Sequence, residues 1–245
     1  MNIEKIKQLK KSYCIIIVLL TIPLCYLSFY LPPYIVPIVC VLPSYPIMVM
    51  RLLNKDRFGA IAYMLLWTFI LGVSMTLLIY KMPDVAKLHI LNGEKYKSEM
   101  IEWVLTGIGK ESNPYQFIPH HIFELIIFMF FSLISASGIS IILGAFLMNY
   151  MAYYVANLSI TGKSLWLLIL GWHPWSILRI LAYIILGVML SEPLLSKIMH
   201  YEYNFKITKK YITIAFIFWL SDLTIKILLA PTWQKILKSF IEWAL

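Results

Sequence analysis

Charge is what this sequence has least of. Asp, Glu, Lys and Arg make up 13% of its 245 residues, against roughly a quarter in a soluble domain. With 61% hydrophobic residues and a mean hydropathy of +0.80, the chain has too little polar surface to face water, which excludes a soluble enzyme. Cysteine is scarce too. Cys14, Cys25 and Cys40 all fall in the first apolar region, without the paired spacing of a zinc site or a loop setting for a disulfide, and read as small residues at lipid depth. Several signatures are missing outright: a glycine-rich phosphate loop, a serine elbow, a His-Glu-x-x-His helix and an intramembrane aspartate pair. Their absence argues against nucleotide hydrolysis, serine hydrolysis, zincin chemistry and aspartyl proteolysis. The net charge of +9 does not point to nucleic acid, because the lysines and arginines sit in short segments flanking apolar runs, where they set topology and meet anionic headgroups.

What is present is a succession of apolar runs, most of them near the ~20 residues that a helix needs to cross a ~30 Å hydrocarbon core. The expected class is all-α: a single polytopic transmembrane helical bundle over residues 1–245, with six to seven crossings. Four lysines precede the first run, which continues past the length of a signal h-region and is read as a retained span. Lys5, Lys7, Lys10 and Lys11 then place the N-terminus in the cytoplasm of a multi-pass cell-membrane protein. Residues 14–50 are broken by six prolines, so they form a proline-broken hairpin joined at Pro32-Pro33. A clear span follows over 58–80. Residues 81–116 are the longest polar region, read as an external loop with two short amphipathic helices, 84–91 and 98–105, parted by the turn signal Asn92-Gly93. The loop is a lid over the membrane mouth or a connector on the headgroups. Residues 164–175 are too short to cross and form a re-entrant or interfacial element. After spans at 175–195 and 211–229, the tail at 231–245 reads as an interfacial amphipathic helix.

Ionisable residues at membrane depth cost ~2.5–3.5 kcal/mol each on insertion scales and need a partner or a role. Glu124, Arg179, Asp222 and Lys226 are in that position, with Glu192 nearer an interface. Pro119 opens a helix in which His120 and Glu124 (i, i+4) and His121 and Glu124 (i, i+3) share a face. His120 and Glu124 are the candidate catalytic or proton-handling pair. His120, His121 and Glu124, with His173 as a further ligand, are the candidate set for a divalent metal such as zinc. The bland alternative has the histidines at headgroup level and Glu124 tied to Arg179 or to an exposed backbone amide. Asp222 and Lys226, four apart, are expected to pair with each other. Ser132, Ala136, Ser140 and Gly144 repeat at every fourth position, a small-xxx-small pattern for close helix packing. A helix break at Gly138 is expected between two crossings.

The pieces Asn54 to Gly59, Asn92-Gly93, Pro119-His120-His121-Ile122-Phe123-Glu124-Leu125 and Ser135-Ala136-Ser137-Gly138 occur in an order that resembles the stage II sporulation protein M family of polytopic membrane proteins. The similarity runs over residues 51–144. In that family the helix opens with Pro-His-Gly-x-x-Glu-Leu-Pro; here His121 stands for the glycine and Ile126 for the final proline. The resemblance implies that Pro119, His120, Glu124 and Leu125 form a signature element. It also implies a non-enzymatic role, as a partner of other membrane or wall-remodelling proteins or as a transport-associated component.

The expectation is therefore an integral membrane scaffold or transport-associated protein without catalytic activity and without a cofactor. Its partners would be the lipid bilayer and other membrane proteins or a second copy of itself, not nucleic acid. The alternatives are an intramembrane metal-dependent hydrolase using the His/Glu cluster, and a proton- or ion-coupled transporter in which Glu124 and Arg179 form a switchable pair.

Overall fold

A computed structural model describes the backbone of residues 3–244 and the side chains of 13–243. The N-terminal lysines Lys5, Lys7, Lys10 and Lys11, on which the cytoplasmic placement of the N-terminus rests, have side chains outside that described range. Among the described residues there are helices and turns but no strand. Residues 3–28 form α1 (Ile3–Ser28), and the proline-rich stretch after it yields two short helices, α2 (Val36–Val41) and α3 (Tyr45–Leu53). Pro37 and Pro46 each sit at the start of one of them, where the missing N–H would have no partner in any case. The proline-broken hairpin is thus α1 against α2 and α3.

Asp56 ends that pair and starts the next helix, its side chain accepting a hydrogen bond from the Gly59 N–H at 2.9 Å as an N-cap. α4 (Arg57–Lys81) crosses next, followed by α5 (Pro83–His89) and α6 (Gly93–Thr106). These two short helices are parted at Asn92, which takes the left-handed conformation (φ 57°). A single 3-10 turn, Lys110–Ser112, leads into α7 (Pro114–Ile134) and α8 (Gly138–Thr161); α9 (Leu167–Leu170) and α10 (Pro174–Ile198) follow, and α11 (Phe205–Ala244) closes the chain. Among the described residues, six helical segments are long and apolar enough to span a membrane: 36–53, α4, α7, α8, α10 and α11. The apolar part of α1, Tyr13–Ser28, adds a shorter seventh.

The main core lies between α1, α4, α7, α8 and α10, around Trp67, Leu71, Met75, Ala145, Ala152 and Leu186. A second core sits at one end of the bundle. There Met100, Trp103 and Val104 of α6 meet Tyr154, Leu158, Leu167, Trp175, Leu237 and Ile241. The 81–116 region is therefore packed as a cap over the bundle end. Residues 164–175 reduce to the four residues of α9 and a turn, and the Trp233 indole N–H donates to the Leu170 carbonyl at 3.0 Å.

One expectation about helices needs correction. Residues 231–245 do not form a helix of their own: α11 runs on through Pro231 for 40 residues. Ala230, Gln234, Leu237 and Ile241, spaced as one helical stripe, are buried against α6 and α9, so core packing outweighs the hydrogen bond that Pro231 forfeits. The expected break at Gly138 is present, and the small-residue pattern is divided across it. Ala136 and Ser137 adopt positive φ (48° and 65°) and fold α7 back onto α8. Ser132 lies in α7, Ala136 in the turn, and Ser140 and Gly144 in α8; the Ser140 hydroxyl donates to the Phe128 carbonyl at 2.8 Å, closing the hairpin. The turn is itself buried, with Ser137 donating to the Gly187 carbonyl of α10 and Tyr45 to the Ala136 carbonyl.

Candidate functional site

Three helices and the cap bring their ionisable groups together. His121 is 4% exposed, its Nδ1 lying 3.1 Å from Glu124 Oε2 and its Nε2 3.3 Å from Lys226 Nζ. His120, on the exposed side of the same helix, reaches Glu124 Oε1 with Nε2 at 3.2 Å. Lys226 in turn bonds Glu111 of the cap at 2.9 Å and sits 4.2 Å from the centre of the Phe117 ring. The result is a continuous chain, Glu111, Lys226, His121, Glu124, His120, running from the cap into the bundle. Because a charged Lys226 has no lone pair, His121 Nε2 must accept from it, which leaves the Nδ1 proton for Glu124.

Arg179 of α10 makes a separate, two-pronged bond to Asp222 of α11, at 2.9 and 3.1 Å. Two expected pairings are thereby corrected. Asp222 and Lys226 do not pair with each other, because their side chains point to different neighbours: α10 for Asp222, the cap for Lys226. Glu124 and Arg179 do not bond directly either; they meet across a cavity.

That cavity, about 130 Å³, opens between α4, α7, α8 and α10. Its walls are mostly methionine and aliphatic side chains, among them Met64, Met148, Met151 and Ile184, while Glu124, Arg179, Ser176, Tyr96, Tyr150 and Tyr183 line its polar part. The Tyr183 hydroxyl is buried with no hydrogen-bond partner. Gly144, from the small-residue pattern, fronts the space, and an added Cβ would meet nothing within 4 Å.

Of the candidate metal ligands, His120, His121 and Glu124 come together and His173 does not. His173 is buried at the start of α10, stacked on Trp175 with ring centres 4.6 Å apart and 3.4 Å from the Tyr154 hydroxyl. Among the described residues no group of three or more His, Cys, Asp and Glu side chains is arranged to hold a metal ion. A metal at His121 would also have to displace Lys226 or Glu124 from its ring nitrogens.

Electrostatics in the cap follow from the same contacts. Burial alone would raise the Glu111 carboxyl, but Lys226, with Arg179 and His173 nearby, brings it down to about 2. Burial lowers His173 to about 3, Lys226 and Arg179 acting in the same sense against Glu111. Burial also holds the Tyr96 phenol well above its usual range.

At the opposite end, Glu192 is fully buried and accepts from Arg57 Nε at 2.9 Å, from Arg57 Nη2 and from the Thr208 hydroxyl at 3.0 Å. The sequence places Arg57 as a topology signal and Glu192 near an interface, and nothing in their spacing announces that they meet. Glu111 and the three tyrosines are likewise invisible as site residues, because helix pairing and not sequence proximity brings them in. No family model, characterised protein or solved structure matches the chain.

Proposed function

We propose that this is a non-enzymatic, transport-associated integral membrane protein in which the buried charge chain links proton occupancy to the cavity. One observation carries the reading. Glu124 belongs to both features: it is a member of the chain from Glu111 through Lys226 and His121 to His120, and it lines the cavity. A titratable carboxylate shared in this way is what coupling needs, because its charge cannot change without changing the field inside the cavity. His121, held between a cation and a carboxylate, is placed to pass a proton between them.

The scaffold expectation narrows accordingly, from a passive framework to a component that carries something. The resemblance to the stage II sporulation protein M family supports the same non-catalytic reading, with the Pro119 to Leu125 signature at the mouth of the charge chain. A metal-dependent hydrolase fits less well, because both ring nitrogens of His121 already have partners and His173 lies apart.

Liposomes holding the purified protein and a trapped pH-sensitive dye test the reading. After an external acid step they are expected to acidify faster than protein-free liposomes, and Glu124→Gln is expected to remove the excess rate. Equal rates for wild type and Glu124→Gln would overturn it.

A further inference from the structure

The charge chain leaves one carboxylate without a cation of its own. Asp222 has Arg179 and Glu111 has Lys226. Glu124 has only the imidazoles of His120 and His121, and the His121 ring, already accepting from Lys226, is neutral in this arrangement. Of the three carboxylates, Glu124 is thus the one without a lysine or arginine bonded to it, and it lines the cavity. Arg179 faces the cavity too, but its charge is matched by the two-pronged bond to Asp222.

Around Glu124 the cavity presents Tyr96, Tyr150 and Tyr183. Tyr96 and Tyr150 lie with ring centres 4.5 Å apart, and aromatic faces attract cations, most strongly where water is excluded. Tyr183, 8% exposed, lines the same space, its ring stacked on Phe128 with centres 4.7 Å apart. The remaining wall is apolar, and the volume of about 130 Å³ is close to the ~150 Å³ of an engineered cavity that takes benzene.

We infer that the cavity binds a small apolar amine: a ring or branched chain of roughly six to eight heavy atoms, bearing one ammonium that sits on Glu124. This deepens the transport reading by naming the class of cargo, and it rests on Glu124 being the carboxylate that faces the cavity.

Benzylamine, benzyl alcohol and benzoate share one ring and differ in the charge of the head, so they separate an ammonium site from a merely apolar one. Binding of each to the purified full-length protein is measured by saturation-transfer NMR titration, with Gly144→Phe, which fills the open space, as the reference for uptake into detergent. Benzylamine is expected to bind at least about tenfold more tightly than benzyl alcohol, as a hydrogen bond to a charged group gives, with benzoate weakest. Glu124→Gln is expected to bring benzylamine down to the level of the alcohol.

Benzoate or benzyl alcohol binding as tightly as benzylamine would overturn the inference, as would an amine preference that survives Glu124→Gln. Saturable binding that Gly144→Phe leaves unchanged would place the ligand elsewhere and overturn it as well. If proton entry into liposomes is lost in Glu124→Gln while benzylamine shows no preference, the ligand class falls and the coupling reading stands. If the amine preference holds and proton entry is unaffected, the reverse is true.

Discussion

Glu192 shows what a single side chain at membrane depth demands. It is fully buried, and its two oxygens are held by Arg57 and Thr208. Removing one member of such a pair leaves the other charge buried and uncompensated, which costs about 3–5 kcal/mol, whereas replacing both by apolar groups of similar size is close to neutral. Arg57→Met is therefore expected to lower the denaturation midpoint in detergent sharply. Arg57→Met combined with Glu192→Leu is expected to recover most of the loss. A double variant as unstable as the single one would mean that the pair itself, and not the stranded charge, holds these helices together.

The cap carries its own residue-scale signature, in pH. Glu111 is depressed to about 2, so the stability it contributes is present above its ordinary value near 4.3 and is lost as pH falls from there towards 2. His173, held neutral down to about 3, works in the same direction. Below its ordinary value near 6.5 the unfolded chain takes up a proton that the folded chain refuses. Stability is expected to decline first below about pH 6.5 and more steeply below about pH 4.5. Denaturation midpoints measured across this range check both steps. Glu111→Gln is expected to flatten the lower one while leaving the upper one in place, and a pH profile unchanged by that variant would remove Glu111 from the account.

At the scale of elements, periodicity and punctuation reveal the helices, and tertiary partners decide what they do. The break between α5 and α6 is legible because Asn92-Gly93 is a turn signal, and Asn92 does take the left-handed conformation. The short helices α2 and α3 are legible because prolines fix where helices begin. Pro231 misleads by the same logic. A proline followed by an amphipathic stretch reads as a new surface helix, yet Gln234 donates to the Val104 carbonyl and Leu237 is fully buried, so the partner surface of α6 carries the helix straight on. The site divides along the same line. His120, His121 and Glu124 are neighbours on one helix, and their contact follows from a spacing of three and four. Arg179 with Asp222, Lys226 with Glu111, and Arg57 with Glu192 join residues from different helices. Single-residue costs identify each of these as needing a partner but do not say which partner.

The whole molecule is polar at two ends and apolar between them, and the ends differ in kind. One end joins the start of α4, the end of α10 and the start of α11 through Arg57, Glu192 and Thr208. The other is the cap, where α6, α9 and the far half of α11 share the second core. Because α11 is one helix from Phe205 to Ala244, its two halves must emerge at opposite ends, so the tail and the cap lie on one side of the bilayer and the 199–204 connection on the other. Single cysteines at Glu102, Lys235 and Lys209, all exposed positions, test this in a Cys14→Ala background, since Cys25 and Cys40 are buried. With a membrane-impermeant maleimide on sealed cells, Glu102→Cys and Lys235→Cys are expected to label together and Lys209→Cys only after the membrane is opened, given the positive charge at residues 197–210. Labelling of Lys209→Cys and Lys235→Cys from the same side would mean that α11 turns back at Pro231. The second core, which includes Leu237 and Ile241 of α11, would then have to be built differently.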